Sequence, residues 1–159
     1  MRGSRPLIGT ALAAGALAAG ALVFAPAAAA VTPGTAQAGY DCGSWGGGAA
    51  TLAATQNGTS ATITITSAVT TPIAVARDTI NATLTLAKAG GGTVKFTGRK
   101  NPALPAGGAV RIGPLTGTVT SGASLNSFFA GPALTMNVLG FPVNCDAVTS
   151  QTPGPFVYS

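Results

Sequence analysis

From Ala49 onward the apolar residues of this chain recur at every second position. In "SATITITSAV" Ile63 and Ile65 alternate with Thr62, Thr64 and Thr66, and in "TINATLTLAK" Ile80, Ala82, Leu84 and Leu86 alternate with Thr79, Asn81, Thr83 and Thr85. "GTVKFTG" sets Val94 and Phe96 against Thr93, Lys95 and Thr97, and "ALTMNVLG" sets Leu134, Met136 and Val138 against Thr135 and Asn137. Successive side chains of a strand point to opposite faces, so this spacing gives each segment one face for a core and one for water. No stretch after residue 30 offers an apolar face at helical spacing. The breakers are "QNG" at 56–58, "AGGG" at 89–92, "NPALPAGG" at 101–108, "TSG" at 120–122 and "AGPA" at 130–133. They leave about eight strands, near 49–55, 60–69, 78–88, 92–98, 108–113, 115–121, 133–140 and 141–147, with "PFVYS" as a short addition. Many short antiparallel strands without helices build a two-sheet sandwich or a barrel. The expectation adopted is all-β, a single antiparallel β-sandwich over residues 40–159.

The start of the chain has a different pattern. Arg2 and Arg5 precede an uncharged run from Leu7 to Phe24, which passes into alanines broken by Pro26. A basic start, an apolar middle and Ala-x-Ala sites make a secretory signal peptide. A membrane anchor needs about 18 or more apolar residues, and this run is filled by Ala and Gly with cleavage sites immediately after. Residues 1–30 are therefore read as a cleaved signal, with cleavage after Ala38 as the alternative. Residues 31–39, "VTPGTAQAG", read as a flexible segment. The expected location is secreted and extracellular, with no transmembrane anchor once the signal is removed.

Export decides how the charges and cysteines are read. Of eight basic residues, Arg2 and Arg5 leave with the signal, so six face Asp41, Asp78 and Asp146 at a net charge near +3. Beyond Arg99 and Lys100 no Lys/Arg cluster marks a nucleic-acid partner. Cys42 and Cys145 are the only cysteines, and two cysteines in an exported chain usually pair. Two buried thiols or an intermolecular bridge are the alternatives. With no histidine in the chain, the pair offers no zinc site, and neither a metal nor a cofactor is indicated.

The candidate for chemistry is Ser44 in "YDCGSWGGG", one residue short of the G-x-S-x-G frame of a nucleophile elbow. Cys42 stands where the first glycine would be, and the elbow belongs to a strand-to-helix turn that this chain does not provide. A chain without His has no imidazole base, and without Glu it has only its three aspartates as carboxylates. Lys88, Lys95 and Lys100 sit at strand edges and turns, where an amine is solvated and not embedded in an apolar run as a lysine base requires. "CGSWGGG" therefore reads as a tight entry to the first strand, with Trp45 covering a disulfide. In "SLNSFFAGP" the adjacent Phe128 and Phe129 would point to opposite faces, which makes them a candidate apolar contact for lipid or a partner.

"YDCGSWGGGAATLAATQNGTSATITITS", "NPALPAGGAVRIGPLTGTV", "LGFPVNCDA" and "QTPGPFVYS" together resemble a group of small secreted proteins of filamentous actinobacteria, some of which carry the label cholesterol esterase. A wider similarity is to secreted actinobacterial domains with an immunoglobulin-like sandwich. The resemblance implies export, an all-β immunoglobulin-like fold and a Cys42–Cys145 pair, and it carries over no catalytic residue. Two expectations follow. The first is a non-catalytic surface or ligand-binding module for lipid, glycan or a cell-surface component. The alternative is a secreted lipid-ester hydrolase of cholesterol esterase type.

Overall fold

The computed structural model describes residues 31–159, and the expected signal segment 1–30 lies outside the described residues. Ten strands follow one another: β1 (Thr35–Asp41), β2 (Gly47–Asn57), β3 (Ser60–Thr70), β4 (Asn81–Lys88), β5 (Thr93–Arg99), β6 (Ala109–Thr118), β7 (Ser124–Ser127), β8 (Pro132–Val138), β9 (Phe141–Ala147) and β10 (Phe156–Val157). All their pairings are antiparallel.

The pairings close on themselves. The order β4-β5-β6-β3-β2-β1-β9-β8 returns to β4 through the pairs Leu84↔Leu134, Thr83↔Thr135, Ala82↔Met136 and Asn81↔Asn137. The molecule is thus an eight-strand barrel and not the expected sandwich of two separate sheets. The alternation of Ile63/Ile65 or Leu84/Leu86 is the same whether a strand lines a sandwich core or a barrel interior, so periodicity alone does not separate the two. The barrel has two short seams, a single aligned pair between β5 and β6 at Thr97↔Thr116 and two pairs between β1 and β9 at Tyr40↔Ala147 and Asp41↔Asp146.

β4 shares one edge between two neighbours. β8 takes its first half, Asn81 to Leu84, and β7 its second, Leu86 to Lys88. β10 adds to β7, and Val157 exchanges two backbone hydrogen bonds with Thr32 just before β1. One end of the barrel is therefore completed by β8 and β9, and the other by β7 and β10.

Two elements differ from the sequence expectation. Residues 31–39, expected as flexible, contain most of β1, which pairs with β2 from Thr35↔Ala53 to Asp41↔Gly47. Ala36, Ala38 and Tyr40 are its buried inward residues, and a period of two written in alanine is a weak apolar signal. The strands expected at 108–113 and 115–121 are one strand, β6, because Gly113 and Pro114 form a bulge against Ile63 and Ile65 of β3. Gly113 has φ 111° and a Cβ there would lie 2.7 Å from the Ile63 carbonyl oxygen, so only glycine fits. Pro114, which has no N–H for a ladder, is tolerated at such a bulge.

The interior is filled by fully buried Leu52, Ile63, Leu84, Leu86, Phe96, Leu115, Leu125, Phe156 and Tyr158. Gln56 closes one end. Its Nε2 donates to the carbonyls of Gly58 and Ser159, and its Oε1 accepts from the Ser159 N–H. At the opposite end lie the turn after β1, the 71–80 link between β3 and β4, the 100–108 link between β5 and β6, and the β8–β9 turn. Here the interior is not filled.

Candidate functional site

Several residues that line this second end are short: Ala50 of β2, Ser67 and Val69 near the end of β3, and Val110 at the start of β6. A cavity of about 350 Å³ reaches inward to Ile65, Ile80 and Ile112 and outward to Trp45, Ile73, Leu139 and Phe141.

Each wall has its own support. The chain between β1 and β2 makes a single 3-10 turn, Gly43–Trp45, held by the Gly46 N–H donating to the Gly43 carbonyl and by the Cys42 N–H donating to the Gly46 carbonyl. Cys42 is bonded to Cys145 of β9, so the disulfide fastens this turn to the neighbouring strand. The 71–80 link is zipped to the 100–108 link by two hydrogen bonds between Val75 and Leu104 and by the Thr71 hydroxyl donating to the Pro105 carbonyl. Asn101, buried between them, makes four side-chain hydrogen bonds, to Thr79, Ile80, Ala76 and Pro102.

No charged side chain lines the cavity. Two of its hydroxyls are engaged, since Ser67 Oγ accepts from the Val69 N–H and the Thr71 hydroxyl donates to the Pro105 carbonyl. Tyr40 gives its ring to the wall, while its hydroxyl is buried without a hydrogen-bond partner among the described residues. Burial pushes that hydroxyl up to about 12, and it pushes the hydroxyl of Tyr158 upward as well.

These raised values fix a pH dependence. Below the ordinary value near 10 both tyrosines are neutral folded or unfolded, and their contribution to stability is fully present. Above it the unfolded chain ionises first, so stability falls with rising pH, by about 1.4 kcal/mol per unit per tyrosine, until the folded group itself titrates. Urea midpoints between about pH 9 and about pH 11 should therefore drop. Tyr40→Phe should flatten the decline and Tyr158→Phe should flatten it further; an unchanged slope in both would assign the alkaline loss to other groups.

The residues singled out in the sequence are dispersed. Ser44 is exposed on the 3-10 turn, its hydroxyl makes no hydrogen bond among the described residues, and nearby Asp41 accepts from the Gly43 N–H at 2.9 Å. Asp41 and Asp146 are register partners on the outside of the barrel. Lys88, Lys95 and Lys100 are exposed. Phe128 and Phe129 lie in the link from β7 to β8, away from the cavity lining; Phe128 packs half-buried on the core and Phe129 is exposed. Cys42 and Cys145 are brought together as expected. Trp45 follows Cys42 by three residues and lines the same cavity. It is 46% exposed and stands with its ring centroid 6.3 Å from that of Phe141.

Sequence reading passed over the rim residues Ile73, Leu139 and Phe141. Each sits beside a proline or glycine, in "TPIA" and "VLGFP", so each reads as part of a turn. The signal available was a large apolar side chain inside a turn, where burial is not expected. No protein-family model, no curated protein and no solved structure matches the chain.

Proposed function

We propose that this is an exported, non-catalytic protein that binds a neutral apolar small molecule in the mouth of its barrel. The observation that carries this reading is the cavity itself, about 350 Å³ and without a charged side chain in its lining. Its size falls within the range of small-molecule sites, about 300–1,000 Å³. A charged ligand would lose its hydration there with no counter-ion, and a glycan would leave its hydroxyls unpaired. Of the partners expected from sequence, lipid fits the lining best. The hydrolase reading lacks a mechanism, since Ser44 is exposed, makes no hydrogen bond to a base among the described residues and is not part of the cavity lining.

The barrel also bears on processing. Cleavage after Ala30 leaves β1 whole, whereas cleavage after Ala38 would remove Ala36 and Ala38 from the core and strip the edge of β2. The exported protein then begins at Val31, which intact mass reads directly; a chain beginning at Gly39 would contradict this.

Titration with the neutral dye N-phenylnaphthylamine tests the binding reading. Saturable binding to one site is expected, weakened about tenfold or more by Ala50→Phe and by Val110→Phe, each of which narrows the cavity. Absence of saturable binding by the unsubstituted protein would sink the reading. Ester hydrolysis should not rise above buffer, and turnover that disappears in Ser44→Ala would restore the hydrolase.

A further inference from the structure

We propose that the barrel mouth is a membrane-docking face, whose apolar rim enters the headgroup region of an anionic bilayer so that the cavity opens toward lipid. This deepens the small-molecule reading and rests on it for its purpose, although the contact itself is tested separately.

Trp45, Ile73, Leu139 and Phe141 are 46%, 54%, 50% and 61% exposed, and all four also line the cavity. Trp45 and Ile73 lie in two separate loops, Leu139 in the β8–β9 turn and Phe141 at the start of β9, all at one end of the barrel. Four large apolar side chains held in water around one opening form a continuous patch, not the scattered exposure that any surface shows. Trp at such a rim suits a bilayer interface, where its ring is half-solvated.

The charge beside the rim selects the kind of surface. Arg99 ends β5 opposite Asn81, the first residue of β4; the Lys100 carbonyl accepts from the Gly113 N–H; and Arg111 sits opposite Thr66 near the end of β3. All three side chains are exposed, as is Arg77 on the 71–80 link, where Asp78 is the adjacent acid. The remaining acids, Asp41 and Asp146, lie across the ring on the β1–β9 side. One flank of the mouth is therefore basic and the opposite flank acidic. Arg99, Lys100 and Arg111 can meet lipid phosphates while the rim enters between headgroups, and binding of this type scales with buried apolar area plus attraction to anionic lipid.

Trp45 is the only tryptophan in the chain and so reports on the rim without a label. The purified oxidised protein is mixed with phosphatidylcholine vesicles made with or without phosphatidylglycerol. With phosphatidylglycerol present, we expect co-sedimentation, a blue shift of Trp45 emission and quenching by brominated acyl chains. An Arg99→Gln/Lys100→Gln/Arg111→Gln variant should lose about tenfold or more in binding together with the preference for phosphatidylglycerol. Ile73→Ser/Phe141→Ser should abolish sedimentation while its circular dichroism stays that of the folded barrel. No binding to either vesicle overturns the proposal, and so does binding that this double variant leaves intact. Dimerisation without lipid that the double variant removes would assign the face to a second copy and also overturn it. Dye binding in the cavity without vesicle binding would leave the small-molecule reading standing and remove docking; vesicle binding without dye binding would do the reverse.

Discussion

Replacing both cysteines, Cys42→Ala with Cys145→Ala, should lower unfolding stability by about 3–5 kcal/mol. The bond closes a loop with a sequence separation of 103 residues, and a cross-link of that span removes many conformations from the unfolded chain. A loss of this size is a large share of the stability of an ordinary domain, about 5–15 kcal/mol. The folded state contributes a local effect as well. The bond lies next to the β1–β9 seam, where only two residue pairs align, Tyr40↔Ala147 and Asp41↔Asp146. Without it the 3-10 turn that carries Trp45 is held to β9 by that short ladder and the packing around it. Urea unfolding should show the lowered stability, and amide exchange should quicken first at Tyr40, Asp41 and the turn. A loss below about 1 kcal/mol would mean that the unfolded chain is already restricted in some other way.

The seams explain what the sequence could and could not convey about the fold. Strand content was legible because Ile63/Ile65, Leu84/Leu86 and Leu134/Met136 alternate with threonine and asparagine at period two. Closure was not, because it depends on which edges meet. β4 offers one edge to both β7 and β8, and no local pattern in "NATLTLAK" announces that its two halves have different partners. β1 was hidden for another reason. Its inward positions are Ala36, Ala38 and Tyr40, and alanine carries little of the contrast by which amphipathic strands are recognised.

The site was legible only in fragments. "CGSWGGG" stood out as a possible nucleophile frame, and its serine faces water. The same stretch nevertheless forms one wall of the cavity, through Cys42 and Trp45. Phe128 and Phe129 stood out as an apolar tip and lie apart from the cavity, whereas Phe141, hidden in "GFP", belongs to its rim. The cavity is lined by side chains brought together from distant segments, among them Ala50 of β2, Ile65 of β3, Ile112 of β6, Leu134 of β8 and Val143 of β9. That property belongs to the packing of distant segments and not to any one motif.

Asn101→Ala should destabilise the protein by roughly 3 kcal/mol and also weaken dye binding in the cavity. Asn101 is 2% exposed, and its amide joins the two links that form one side of the mouth. Its Oδ1 accepts from the N–H groups of Thr79 and Ile80, both at 2.9 Å, and its Nδ2 donates to the carbonyls of Ala76 and Pro102 at 2.8 and 2.7 Å. Truncation leaves these four backbone groups without that partner, and each buried group left unpaired costs about 1–3 kcal/mol unless water reaches it. Water can reach some of them, because Ala76 and Thr79 lie near the surface and Ala76 still accepts from the Thr79 hydroxyl; the total therefore stays well below the sum of four full penalties. The functional consequence follows from what the 71–80 link carries. Ile73, Val75 and Ile80 all line the cavity, and the link is set against the 100–108 link through the Thr79 and Ile80 amides that donate to Asn101. If the wall is positioned in this way, the variant loses affinity even at temperatures where it remains fully folded. A variant that is destabilised but binds the dye as tightly as before would show that the wall is held by the backbone hydrogen bonds between the two links, at Val75–Leu104, Thr71–Gly107, Thr71–Gly108 and Asp78–Asn101, and by the Thr71–Pro105 contact.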